Sequence, residues 1–427
     1  MPEIRAFAIT QRAMQRLGYL KRLIRRVTSL SSSSLDNLGH DLIDTVTRKI
    51  RVPLDDARAE YIKLRLYDRA YGTLKTQTEA WLKSDRAGEP PVMAMELQDL
   101  YLSDPSLPSR GGKLVKADLD RYVPLGISLG LIRGGTYSAN TRALSFLYFT
   151  PDTEIQAFVD YKPEFNPMRI SRQQGLLLLY AFLENDGEVI APLFRKLMSD
   201  YPSGFSDRNA GDQLPEIYRS ITARHRARAL SVEARERLAS LEKTAESIAR
   251  RREIERYVGS AREEASRVRV EPYVDMGLFN KPDPFKFEYT IAPAGQKLIE
   301  SLNAVDSSEQ VEAFLQFQFF STCAKAWNID AQVVTEPECI VPYLYRAWEK
   351  IQSPGGYSPI EELALVGGIR ALLEHNVVFE TGVAREAIIA YQKANPYQVR
   401  FTVNRLGVLA HTRFLEPPPS PLLDKCQ

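Results

Sequence analysis

A chain of 427 residues is longer than one ordinary hydrophobic core organises, and a scale of about 150 residues per domain points to roughly three. Its composition, 44% hydrophobic and 26% charged, is that of a globular protein, and no apolar run approaches the roughly 20 residues that a membrane span needs. A net charge of +2 excludes a uniformly basic polymer binder, and three scattered cysteines without CxxC spacing (Cys323, Cys339, Cys426) indicate a reducing, cytoplasmic setting rather than a disulfide framework.

The chain opens basic: Arg5, Arg12, Arg16, Lys21, Arg22, Arg25 and Arg26 precede Asp36 against Glu3 alone. Met14, Leu17, Leu20, Ile24 and Val27 recur at helical spacing and predict an amphipathic helix with a solvated basic face. Ser31 to Ser34 separate it from a second helix carrying Leu38, Leu42, Ile43 and Val46, and residues 1–90 read as one helical region. "RAGEPP" (Arg86 to Pro91) is a linker, because its prolines and glycine cannot continue a helix. In residues 91–165 a helix through "MAMELQDLYLS" is followed by the loop "DPSLPSRGGK" and then by Leu119 to Leu147. There an apolar helical stripe ends on Gly130-Leu131-Ile132, turns through Gly134 and Gly135, and resumes with Tyr137 before another helix.

Residues 166–218 read as a helical hairpin, two packed helices broken at Asn185-Asp186-Gly187. From 219 to 265 the sequence is rich in Ala, Arg and Glu and free of proline, which predicts a long charged helix joining the units on either side. Ala234, Leu238, Leu241, Ala245 and Ile248 form a 4-3-4-3 seam on it, able to pair with a partner helix or to pack back on its own domain. Residues 266–305 repeat the earlier layout: a helix, Gly277-Leu278-Phe279, a turn on Asn280 to Pro284, a strand with Tyr289, then Ala-Gly and a helix.

Residues 306–352 return to helix, with Phe314, Phe317, Phe319 and Phe320 read as core. Residues 353–416 give a third version, with helices Ile360 to His375 and Gly382 to Lys393 before a hairpin. Val399, Phe401 and Val403 share one face of its first strand, and Asn404-Arg405-Leu406-Gly407 form the turn. The tail, 417–427, is too proline-rich to pack regularly. The fold class is therefore mainly α with small β-hairpins, in tandem units joined by a long helix.

Helix, Gly-hydrophobic, charged turn, short strand with Tyr or Phe, small residue and helix resembles the recognition helix and wing of winged-helix DNA-binding domains. The resemblance is clearest over Arg267 to Leu302, where "MGLF…KFEYTIAPAGQKL" carries it. It extends to Leu119–Leu147 and, more weakly, to Ile360–Phe414. It implies a non-enzymatic binder of double-stranded DNA, with a helix in the major groove and basic side chains on phosphates and base edges. Carried over, Arg267 and Arg269 lie on the helix, Lys281 and Lys286 at the wing and Lys297 on the next helix. The first unit offers Arg121, Arg133 and Arg142, and the third Lys393, Arg400 and Arg405. Each phosphate contact releases counterions, so binding is expected to be strongly salt-dependent.

A component of a bacterial DNA-handling complex, in transcription, plasmid maintenance, mobile-element handling or defence against foreign DNA, is the corresponding expectation. Protein partners, or self-association through the long helix, are expected beside DNA. Winged helices also serve as protein-interaction modules, so a scaffold subunit is the alternative, favoured by near-zero net charge and by Asp275 and Glu288 beside the best wing.

One pattern bears on catalysis. In "PDTEIQAFVDYK", Asp152, Asp160 and Lys162 follow the PD…(D/E)xK order of metal-dependent nucleases, in which carboxylates hold Mg²⁺ and the lysine helps activate water. The spacing is unusually short, and a solvated turn and strand is the preferred reading. "SRGGKLV" has Leu107 and Leu114 where a phosphate loop needs Gly and Ser or Thr, and GxGxxG, GxSxG and HExxH are absent. The four histidines are far apart in sequence, so no metal or cofactor is expected.

Overall fold

The computed structural model describes residues 3–7, 17, 20, 24, 124–133, 139–150, 170–228, 230–253, 261–283, 286–353, 355–404 and 409–419. After a helical stretch at 124–128 come α1 (Thr141–Tyr148), α2 (Arg172–Asp200) and β1 (Phe205–Ser206). Next are α3 (Asp207–His225), α4 (Val232–Glu253), α5 (Ala261–Asp275), β2 (Phe279–Asn280), β3 (Glu288–Ile291) and α6 (Pro293–Ser301). The remainder is α7 (Ser308–Phe317), α8 (Phe319–Ala326), β4 (Gln332–Val333), α9 (Pro337–Ile351), β5 (Ser358–Pro359) and α10 (Ile360–His375). It ends with β6 (Val377–Val378), α11 (Thr381–Ala394), β7 (Val399–Val403) and β8 (Leu409–Phe414). The chain is thus mainly helical with small sheets, and among the described residues no helix is long and apolar enough to cross a membrane.

α2 is the axis of the molecule. Ser171 and Gln174 close a capping box at its start, satisfying two backbone donors reciprocally. Leu176 to Leu183 are all buried, the pattern of a helix surrounded by neighbours rather than lying on a surface. The expected break at Asn185-Asp186-Gly187 does not occur: α2 runs through it as one helix. These residues serve other purposes there. Asn185 Nδ2 donates to the carbonyl of Ala181 one turn back, and Asp186 accepts the backbone N–H of Phe7 at 2.7 Å. Gly187 leaves room for α7, since a Cβ would lie 2.7 Å from the Val311 side chain.

The expected long helix is divided. α3 ends at His225, a turn follows through Arg228, and α4 begins at Val232 and packs against α3. Ala234, Leu238, Leu241, Ala245 and Ile248 are all buried within the chain's own core. The seam therefore packs back on its own domain, and the expectation of self-association through it is corrected. The basic opening segment is anchored as well. Leu17, Leu20 and Ile24 are helical and fully buried, and Leu17 donates its N–H to Asp275 at the end of α5.

The two glycine turns have the same backbone construction. Gly130 (φ 70°) ends the stretch 124–128, Leu131 N–H returns to Gly126 O at 2.8 Å, and Asn140 N–H closes onto Leu131 O at 3.0 Å before α1. Gly277 (φ 75°) ends α5, Leu278 N–H returns to Tyr273 O at 2.8 Å, and Ala292 N–H closes onto Leu278 O at 3.0 Å before α6. A positive φ is open to glycine at little cost, which is why the layout recurs with that residue.

β1, β3 and β2 form an antiparallel sheet in the order β1-β3-β2, with Phe205 opposite Tyr289 and Phe279 opposite Ile291. Behind it Phe194, Phe205, Tyr273 and Phe279 pack edge to face. The C-terminal region repeats this arrangement with β5-β8-β7, over a second core that includes Ile340, Leu344, Ile360, Ile388, Val399 and Phe414. Of the four clustered phenylalanines, Phe314, Phe319 and Phe320 are buried, but Phe317 is 54% exposed and is not core. β4 and β6 form a separate parallel pair.

Candidate nucleic-acid interface

α5 buries a stripe at one-turn spacing, Ala265, Arg269 and Tyr273, and the arginine has to be neutralised inside. Arg269 Nε lies 2.6 Å from Asp186 Oδ2 with both side chains fully buried, and its Nη groups donate to Ala265 O and Phe7 O. Burial pushes the Asp186 carboxyl up to about 6, against the pull of Arg269. Arg267 pairs with Asp207 at 2.6 Å and lies over the Phe287 ring. Burial raises Asp207 too, with Arg267 opposing it.

Lys281, expected at the wing, is interior. Its Nζ is 2.6 Å from Glu271 Oε1, and the Tyr289 hydroxyl donates to the same oxygen at 2.6 Å. Burial, reinforced by Glu271, holds the Tyr289 hydroxyl well above its ordinary value. Glu271 belongs to α5 and Tyr289 to β3, so this triad fastens helix to hairpin. Lys297 donates to Lys325 O and Asn328 Oδ1. Arg142 sits between Glu184 and Glu362. Arg269, Lys281, Arg142 and, for the most part, Arg267 thus hold the interior together and do not face a ligand. Among the described candidates of these two units, Lys286 and Arg133 stand exposed. Arg121, Asp152, Asp160, Lys162 and Arg405 lie outside the described residues.

The C-terminal hairpin presents the opposite arrangement. Val399, Thr412 and Phe414 point inward, and the alternation of β7 and β8 turns Arg400, His411 and Arg413 outward. The register sets Arg400 directly across from Arg413. Among the described residues neither guanidinium pairs with a carboxylate; Arg413 lies over the Tyr357 ring, 5.8 Å from its centroid. Lys393 is exposed at the end of α11, and Tyr397, in the turn between α11 and β7, is 86% exposed. Like charges directly opposite on a hairpin destabilise it, so the fold gains nothing from this pair. Arg413 was missed in the sequence, although alternation back from Phe414 places it with His411 on the outer face.

Other reactive groups are structural in their surroundings. Cys323 is enclosed by apolar neighbours, and burial drives its thiol well above the ordinary value. His375 closes α10 with its ring against Tyr343, and burial lowers it. Among the described residues no three His, Cys, Asp or Glu groups converge to hold a metal ion. No protein-family model matches the chain, nor does any curated protein or solved structure.

Proposed function

We propose that the chain binds double-stranded DNA in the cytoplasm without reacting with it, as part of a bacterial complex that handles or excludes foreign DNA. The contact is assigned to the C-terminal unit, read as a winged helix with α11 as its recognition helix and β7–β8 as its wing. The recurrence of helix, short strand, two or more helices and a hairpin, with the first strand joined to the last, supports that reading. The observation that carries the proposal is the outward Arg400–Arg413 pair, with Lys393 also exposed at the end of α11. Two guanidiniums in register offer a phosphate bidentate donors and offset their own repulsion by binding it.

The test is anisotropy of a labelled random-sequence duplex titrated with protein from about 50 to 300 mM salt, a range over which phosphate-dominated binding falls steeply. The wild-type chain is expected to show a steep salt slope. The Arg400→Ala, Arg413→Ala double variant is expected to lower that slope by about two and to weaken all sequences alike. No wild-type binding at low salt, or an unchanged slope in the variant, defeats the assignment. One observation favours a second reading, a scaffold that binds protein: Arg269 and Lys281 of the second unit are consumed internally. Partner binding insensitive to salt, with no affinity for DNA, selects it.

A further inference from the structure

Residues Glu3–Phe7 lie in a groove between α2, α4 and α5, and Ile4, Arg5, Ala6 and Phe7 are all buried there. Side chains bind much of the segment's main chain. Glu188 accepts the Arg5 N–H at 2.9 Å and returns its own N–H to Arg5 O at 3.1 Å. Asp186 accepts the Phe7 N–H, Arg269 donates to Phe7 O at 3.2 Å, and Arg237 donates to Ile4 O at 3.0 Å. The segment's own side chains are read as well. Arg5 reaches Glu184 O and Glu312, the Phe7 ring meets Phe182 edge-on, and Glu3 accepts from Ser231 just before α4.

The groove's buried charges do not depend on the segment for neutralisation. Asp186 has Arg269, and Glu188 has Arg224 at 3.1 Å and a hydrogen bond with His225 at 2.9 Å. Removing a partner is ruinous for a buried ion only when it leaves the ion alone. Here each ion keeps a counter-ion when the segment departs, so the empty groove avoids that penalty.

We propose that this groove is a peptide-recognition site whose resident ligand is Glu3–Phe7. It accepts the same kind of peptide in trans, with an aliphatic residue, arginine, a small residue and an aromatic in succession. Arg5 and Phe7 supply specificity, and Ala6 between them is fully buried.

The experiment uses the full chain with a protease site inserted between Thr10 and Gln11, cut only after folding. A fluorescein-labelled peptide of residues 1–10 is then added. The expected result is exchange of the cut segment for labelled peptide with saturable one-to-one binding, the unlabelled Arg5→Ala peptide competing at least about tenfold less well. Retention of the cut segment without exchange overturns the proposal. So does its loss without binding of the label, or equal competition by the Arg5→Ala peptide. Hydrogen exchange on the uncut chain gives a second reading. The Arg5 and Phe7 amides are expected to exchange at least about tenfold faster than those of Leu177 to Leu179, through local opening of the groove. Equal rates would make the segment a fixed part of the core.

Discussion

In the second unit β1 joins β3 and β3 joins β2; in the C-terminal unit β5 joins β8 and β8 joins β7. The backbone plan is shared, yet the basic side chains are used in opposite senses. Arg269 and Lys281 are fully buried against Asp186 and Glu271, whereas Arg400 and Arg413 face solvent without a carboxylate among the described residues. The difference lies in what surrounds each unit. α2 and α3 supply Asp186 and Asp207 to its arginines and α5 supplies Glu271 to its lysine, while among the described residues no acid pairs with the outward arginines of the C-terminal hairpin. A hairpin following a helix therefore says little about ligand contact until the acids around it are known.

The sharpest way to break this comparison is stability. Arg269→Ala strands Asp186 in the interior and is expected to cost about 3–5 kcal/mol in chemical denaturation, against at most about 0.5 kcal/mol for Arg400→Ala. Equal losses would remove the distinction. Lys281→Ala is expected to cost about 3 kcal/mol by the same logic, while Lys281→Met combined with Glu271→Leu should recover more than half, because neither charge then remains. A smaller effect separates binding from folding in the C-terminal unit. Arg400→Glu creates an opposite-charge cross-strand pair with Arg413, expected to stabilise the hairpin by about 0.2–1 kcal/mol while weakening duplex binding more than Arg400→Ala does.

The smallest expected effect lies at the start of α7. A hydrogen bond from Arg228, helped by backbone N–H and Ser307, lowers the Glu309 carboxyl to about 2 from its ordinary 4.5. A lowered folded-state value means that the contribution is present above about pH 4.5 and is lost as pH falls toward 2. Both side chains are largely exposed, so it amounts to a few tenths of a kcal/mol. Arg228→Ala should raise the Glu309 midpoint in an NMR titration.

What the sequence revealed was local. The two glycine turns, the apolar stripe through Leu17, Leu20 and Ile24, the α4 seam and the alternation of the C-terminal hairpin depend on neighbours a few residues away. What it hid was distant. Nothing near Arg269 marks it as interior, since its acid, Asp186, is 83 residues away in the chain. "ENDGE" has the composition of a turn, and only the arrival of residues 3–7 and α7 explains why it stays helical. β1 and β5, two residues each, are too short to carry an alternation. The candidate interface was half legible: Arg400 stood out and alternation could have marked Arg413, whereas their pairing depended on a register that only the paired strands define.

The seating of Glu3–Phe7 also sets an order of events during synthesis. Arg5 leaves the ribosome 183 residues ahead of Glu188 and 307 ahead of Glu312, and Phe7 precedes Arg269 by 262. Until those partners emerge, Ile4 and Phe7 have no groove to enter. Contacts of such sequence separation form slowly, because a long loop must close before they return any energy. Docking of this segment is accordingly a late event in folding, and Ile4 and Phe7 stay undocked in the nascent chain until those partners have emerged.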